Sequence, residues 1–299
     1  MLPTGNRVTI TDFVLGGHCG GVALRQDANA SYSRKGVTMD LGLKGKAALI
    51  TGGSDGIGAG IAEALSAEGA VVAICARNLA RLEATAARIE AATGNKVVPI
   101  AADLRSEAGC SHFVADAAAA LGRIDILVNN AGASKLGPFV ELTDEEFVDA
   151  VNGKFLGTVR CCRAVIPHMQ ALGGGVIVNI TGANQQAVSL HSSGGSSNAA
   201  IRMFSKVLSQ ELGPMGIRVN SLAPGRIQTS RAEQIFDIEA RVSGTTREAV
   251  MAKMVSAIPS GRLGRVSDIA DMVCFLVSDR ASYVNGAAIM VDGSKSAVI

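Results

Sequence analysis

From Lys46 onward the chain alternates short apolar, β-branched runs with longer Ala-rich amphipathic stretches, and this alternation limits its fold more than any other feature. Runs that are apolar at consecutive positions bury both faces of a strand, which calls for a parallel sheet covered by helices on each side. The spacing predicts strands over 47–51, 71–75, 96–100, 124–128, 176–180, 218–222 and 287–291. Helices are expected near 57–68, 79–92, 106–121, 143–171, 195–213 and 266–278. Right-handed crossovers then put helices on both faces and ligands at the carboxyl ends of the strands.

The chain of 299 residues is 48% hydrophobic and 18% charged, with 35 glycines, which suits a single α/β domain and excludes a disordered or fibrous protein. A net charge of +2 without a long basic run argues against nucleic acid or an anionic membrane, so the expected partner is a small-molecule substrate. Cys19, Cys75, Cys110, Cys161, Cys162 and Cys274 show no CxxC or paired His/Cys spacing. No metal site and no disulfide framework are expected, and the thiols fit a reducing cytoplasm. No apolar stretch reaches the roughly 18 residues that span a bilayer.

Met39 opens a segment that reads like the start of the domain, so residues 1–38 are expected to be a flexible extension and 39–299 the folded domain. Residues 229–262 interrupt the alternation and are expected to form a mobile substrate flap. There Ile235, Phe236, Ile238, Val250, Met251 and Met254 make either an apolar ligand face or helix packing.

Directly after the first expected strand stands Thr51-Gly52-Gly53-Ser54-Asp55-Gly56-Ile57-Gly58, followed by an Ala-rich helix. A glycine turn in that setting lets backbone approach a pyrophosphate, and the helix N-terminus favours its charge. The fold expected is therefore a doubly wound Rossmann domain that binds a dinucleotide. At the end of the second strand the sequence reads Cys75-Ala76-Arg77-Asn78, with no acid for the ribose hydroxyls. Arg77 can instead hold a 2′-phosphate, which favours NADP(H) over NAD(H), unless it is a solvated helix-cap residue. Asp55, in the glycine turn, weighs against the 2′-phosphate.

The turn TGGSDGIG, Ala102-Asp103-Leu104, Asn129-Asn130-Ala131-Gly132, Ala223-Pro224-Gly225 and the tail from Ser282-Tyr283-Val284-Asn285-Gly286 to Val291-Asp292-Gly293 closely resemble short-chain dehydrogenases/reductases. These motifs span residues 41–293 in order. The resemblance implies a cofactor site made of Gly52, Ser54, Gly56, Ile57 and Gly58 at the turn, with Arg77 and Asn78 beside it. It further implies Asp103 and Leu104 near the adenine, Asn130 and Gly132 along the ribose, and Pro224, Gly225, Ile227 and Thr229 towards the nicotinamide amide. It implies a homo-oligomer, a dimer or tetramer, joined through the helices near 143–171 and 195–213.

Family members use a Tyr and a Lys in a YxxxK pattern, a strand-end Ser and a helix Asn, because a phenol must exchange a proton with the reacting oxygen and an ammonium lowers its pKa. Anchored on Asn198-Ala199-Ala200-Ile201, the Tyr position falls on Gly194 and the Lys position on Asn198. The only tyrosines are Tyr32 and Tyr283, and neither begins YxxxK. The Ser position falls on Thr181 or Gly182, and the Asn position on Lys154. Lys154 is then either an electrostatic replacement or a surface helix residue. His191, the one histidine in this segment, is either a proton carrier or a solvated loop residue.

The expectation is an atypical NADP(H)-dependent oxidoreductase acting on a carbonyl, an alcohol or a related double bond, with Lys154, His191 and Thr181 as catalytic candidates. A non-redox lyase or hydratase in the same pocket, and a catalytically silent nucleotide-binding protein, are the competing readings.

Overall fold

Strand β1 (Ala47–Thr51) is buried along its whole length, as an inner strand of a parallel sheet must be. The computed structural model describes residues 39–132, 134–182 and 191–297, the side chain of Gln234 apart. The extension expected over 1–38 lies outside the described residues. Strand β1 is joined by β2 (Val71–Ala76), β3 (Val97–Ala101), β4 (Ile126–Asn129), β5 (Gly175–Ile180), β6 (Ile217–Pro224) and β7 (Ala288–Val291) in one seven-stranded sheet. Its order is β3-β2-β1-β4-β5-β6-β7, and every pairing is parallel. This is the doubly wound α/β Rossmann fold that the alternation predicts. After β3 the chain crosses to the other side of β1, so the β1/β4 boundary is the switch point where such folds take a ligand.

Successive strand residues face opposite layers. Ile50, Ile74 and Val128 pack with Ile61, Leu65, Leu82, Ile89, Ile269 and Val273 from helices α1 (Gly56–Ala67), α2 (Leu79–Thr93) and α9 (Val266–Val277). Their neighbours Leu49 and Leu127 pack on the other face with Phe113, Val165 and Leu208 from α3 (Glu107–Leu121), α5 (Gly157–Ala171) and α6 (Ser192–Leu212). Side-chain caps fix where the helices start: Asn78 accepts from Arg81 N, Ser106 from Gly109 N, and Thr143 closes a capping box with Glu146.

Two stretches carry detail that the pattern does not show. The helix expected over 143–171 is present, but α4 (Asp144–Ala150) passes through a π-helical segment (Val151–Leu156) before α5. Apolar periodicity cannot reveal one such wide turn, and π-helical turns occur often at functional sites. The segment 229–262, expected as a substrate flap, is largely helical. It forms α7 (Ser230–Ser243) and α8 (Arg247–Ser256), capped by Thr229 and Thr246, with a small core of Ala232, Phe236, Ala240, Val250 and Met254. Of the six apolar residues read as either a ligand face or helix packing, Phe236, Val250 and Met254 pack in that core, while Ile238 and Met251 are exposed.

Candidate active site

The glycine turn joins β1 to α1 at the switch point. Gly52 takes φ +68 and donates its N–H to Cys75 O at 2.8 Å, curling the chain back over β2. A Cβ on Gly58 would lie 2.2 Å from Gly52 O, so only glycine lets the helix start this close to the strand end. Asp55 caps α1 by accepting from Gly56 N, and the Ile57 and Gly58 amides keep no hydrogen-bond partner among the described residues. Amides of this kind at a positive helix end fit the diphosphate of a dinucleotide. Ser54 contributes its carbonyl to Thr85 Oγ1 at 2.9 Å, tying the turn to α2.

The carboxylate of Asp55 is engaged. Its Oδ2 accepts from Arg81 Nη2 at 2.6 Å and from Ser230 Oγ. The Ser230 hydrogen bond and the cations hold its pKa below the usual carboxylate range against the opposing effect of burial. Arg81 comes from the first turn of α2, next to the exposed Arg77 at the end of β2. Asn78 spends its side-chain carbonyl on the α2 cap. Asp103, one strand further out, is clamped by Arg105 at 2.6 Å, the first cause of its lowered pKa, with a smaller contribution from Arg77. Leu104 is 8% exposed and belongs to the core.

Asn130, after β4, donates Nδ2 to Thr51 O and Gly52 O, bracing the glycine turn from the far side of the switch point. Gly132 stands against Lys154, for a Cβ there would lie 2.7 Å from Lys154 Cβ. Gly225 N bonds Val291 O, following Pro224 at the end of β6, and Ile227 bridges to Gly264. Thr229 caps α7, and its Cγ2 is 3.4 Å from the Cβ position of Gly56, so the chain after β6 folds over the glycine turn.

Lys154 sits in the π-helical segment and donates Nζ to Ile180 O at 3.2 Å, at the carboxyl end of β5. Burial, with a repulsive contribution from Arg231, brings its pKa down to about 8. Thr181 is buried and donates its hydroxyl to Leu222 O at 3.2 Å. His191 precedes α6, and its Nε2 is 2.7 Å from Ser134 Oγ. Burial, followed by Arg231, Arg226 and Lys154, lowers the pKa of the imidazole. A Cβ on Gly194 would fall 2.1 Å from His191 Nε2 and 2.5 Å from Ser134 Oγ. One turn along α6, the buried Asn198 leaves Oδ1 without a hydrogen-bond partner among the described residues.

The candidate residues thus fall into two groups at the strand ends, one around the glycine turn and one around His191 and Lys154. Sequence reasoning missed Arg81, Ser134 and Arg231. Arg81 was findable, since it stands three residues after a capping Asn on the same helix. Ser134 and Arg231 are isolated in sequence and meet only through tertiary folding. Among the described residues no cluster of His, Cys, Asp and Glu is suited to a metal, and no helix is long and apolar enough to cross a membrane.

A switch point with open amides and a turn whose Gly53 and Gly58 leave no room for a side chain defines a dinucleotide-binding protein of the Rossmann class. Residues 52–294 match the family model described as enoyl-(acyl carrier protein) reductase, and the chain belongs to the short-chain dehydrogenase/reductase family of oxidoreductases. It is 37% identical over 254 residues to the peroxisomal 2,4-dienoyl-CoA reductase of Pongo abelii, covering 84% of each chain. Its structure is similar to that of L-sorbose reductase from Gluconobacter frateurii, solved with NADPH and L-sorbose: TM-score 0.83, 32% identity, 87% of this chain and 100% of that one. It also resembles a 7α-hydroxysteroid dehydrogenase solved with NADH and a 7-oxo bile acid: TM-score 0.77, 34% identity, 85% of this chain and 96% of that one. Nicotinamide dinucleotides of both kinds thus occur on this fold.

Proposed function

We propose that this chain is an NADP(H)-dependent oxidoreductase with a non-standard catalytic site, in which His191 and Lys154 take the part of the family's phenol and ammonium. Its reaction interconverts a carbonyl and an alcohol or reduces a related polarised double bond. The observation that carries this reading is the position of the imidazole against Gly194. A tyrosine at that position would send its side chain into the space His191 Nε2 now holds, 2.1 Å from the Cβ site.

The cofactor, when bound, supplies or accepts the hydride. Gly52, Ser54, Gly56, Ile57 and Gly58 would hold its diphosphate, Asp103 and Leu104 its adenine, Asn130 and Gly132 the inner ribose, and Pro224, Gly225, Ile227 and Thr229 its amide end. Arg77, with Asn78 shaping the start of α2, would take the 2′-phosphate. The Arg81 ion pair supports this, because it offsets the Asp55 charge that would repel that phosphate. His191 exchanges a proton with the reacting oxygen, and Ser134 fixes its ring. Lys154, poised near neutrality, stabilises developing negative charge. Thr181, whose hydroxyl proton is used on Leu222 O, holds the end of β5 in place.

NADPH oxidation over a panel of carbonyl and enoyl substrates tests the reading. A His191→Asn variant should bind NADPH normally and lose about 10²–10⁴-fold in kcat, the usual worth of general acid–base catalysis. If no substrate oxidises bound NADPH, the oxidoreductase reading fails. We also propose a cytoplasmic homo-oligomer. The exposed Met203 and Val207, one turn apart on α6, support a helix face covered by a second copy, and light scattering in solution checks it.

A further inference from the structure

Three cations act on His191, and two of them have no carboxylate partner among the described residues. In the stretch after β6, Arg226 pairs with Glu239 at 3.7 Å, Arg247 with Glu233 and Asp237, and Arg262 with Asp268 at 2.6 Å. Arg231 stands among them, exposed on the first turn of α7, and like Arg241 and Lys253 forms no ion pair among the described residues; what sets it apart is where it points. Its Nη2 donates to Ser134 O at 3.1 Å, the same residue whose hydroxyl meets His191. The Lys154 ammonium, among the described residues, likewise bonds a carbonyl, Ile180 O. On the loop that carries Ser134, the neighbouring Lys135 is already matched to Glu146.

Lys154 is largely buried and Arg231 faces solvent at its side, so the two place positive charge on one wall of the pocket with hydrogen-bond donors still to spend. The ordinary complement is an anion delivered by the ligand. The cofactor's diphosphate has its own receptor, the α1 amides, and Thr229 and Ser230 already lie over that turn. Arg231 points the other way, to the Ser134 and His191 pair. A guanidinium with one N–H on a carbonyl keeps other donors in a planar fork that matches a carboxylate or phosphate.

We infer that the substrate carries an oxyanion, a carboxylate or phosphate, beside its reacting carbonyl or double bond, and that Arg231 with Lys154 holds it against His191. This rests on the oxidoreductase reading above. It carries a consequence for the proton. The groups that act on the imidazole from the neighbouring elements are Arg231 of α7, Arg226 after β6 and Lys154 of the π-helical segment, all cationic. An anion bound among them cancels that field, so its arrival promotes proton uptake by His191. The substrate's own charge would then load the acid that protonates it.

The test uses the NADPH-loaded protein and three probes: oxamate, inorganic phosphate and, as the neutral control, oxamide. Titration calorimetry in two buffers of different ionisation enthalpy reads affinity and proton uptake together. At least one oxyanion should bind with net proton uptake, and Arg231→Gln should weaken it roughly tenfold or more, the range of a bidentate charge-assisted contact. Oxamide binding should not change. Binding of oxamate and not phosphate identifies a carboxylate subsite, and the reverse a phosphate subsite. The inference is overturned if neither oxyanion binds, if Arg231→Gln leaves their affinity intact, or if that variant weakens NADPH instead, which would assign Arg231 to the cofactor. NADPH affinity is measured separately and the oxyanion titrations are repeated on the cofactor-free protein, so loss of the cofactor reading alone shows as absent NADPH binding with oxyanion binding retained.

Discussion

The ring of His191 occupies the volume that a side chain on Gly194 would enter, with Nε2 2.1 Å from the Cβ position. Gly194 can take no side chain while the imidazole stays where it is. Gly194→Ala should push the imidazole off Ser134 Oγ and reduce kcat by roughly 10²-fold or more, as expected for misplacing a catalytic group by about 1 Å. Thermal unfolding should move far less than activity, since the ring is held at the pocket rather than in the core. Steady-state kinetics beside calorimetry checks both, and a fully active Gly194→Ala protein would mean that His191 is not used.

Cofactor choice should depend on charge around the adenosine end. Arg77→Ala should weaken NADPH by roughly tenfold while leaving NADH nearly unchanged, because only the former carries a 2′-phosphate to lose a charge-assisted contact. Arg81→Ala should act in the same direction, since it leaves the Asp55 carboxylate without its 2.6 Å partner. Fluorescence titration with both dinucleotides measures the ratio, and an equal effect on the two would remove Arg77 from the 2′-phosphate site.

The sheet was legible because consecutive apolar positions in 47–51, 71–75 and 176–180 leave parallel burial as the only economical arrangement. Strand limits moved by one or two residues, β6 running on to Pro224, because ladder pairing rather than composition ends a strand. The glycine turn was equally plain. What stayed hidden depended on side chains meeting across the sheet ends: Ser134 with His191, Arg231 with Ser134, Arg81 with Asp55. Asp55 shows the limit well. Its sequence position suggested repulsion of a phosphate, and the structure adds what the sequence did not show, a cap on α1 and an ion pair with Arg81. The π-helical segment was invisible for a related reason, since its residues keep a helical composition while their hydrogen bonding widens.

Lys154 links the site to pH-dependent stability. Its folded-state pKa of about 8 is below the value of 10.5 for a free lysine, so the unfolded chain binds more protons between those limits. Stability therefore rises with pH from about 8 towards about 10 on account of this group, and is lowest where Lys154 is forced to be charged. Lys154→Met should flatten that rise and add on the order of 1–2 kcal/mol at pH 7, while abolishing turnover. Urea unfolding of both proteins at pH 7 and pH 9.5 makes the comparison. A parallel pH dependence in the two would show that Lys154 is solvated.

The α7/α8 pair should respond to damage separately from the sheet. Phe236 is 1% exposed, and its neighbours Ala232, Ala240, Val250 and Met254 form a core distinct from the two that flank the strands. Phe236→Ala removes the largest side chain of that small core, at a local cost of about 3–5 kcal/mol. Because few other contacts back it up, the loss should appear as opening of the pair rather than global unfolding. Amide exchange should then speed up across 230–256 and stay slow in β4 and β5. Thr229 and Ser230, which lie at the glycine turn, would be loosened too, so NADPH affinity should fall while the melting of the sheet core changes little. Uniform acceleration through the sheet would instead show that the two helices unfold only together with the rest of the domain.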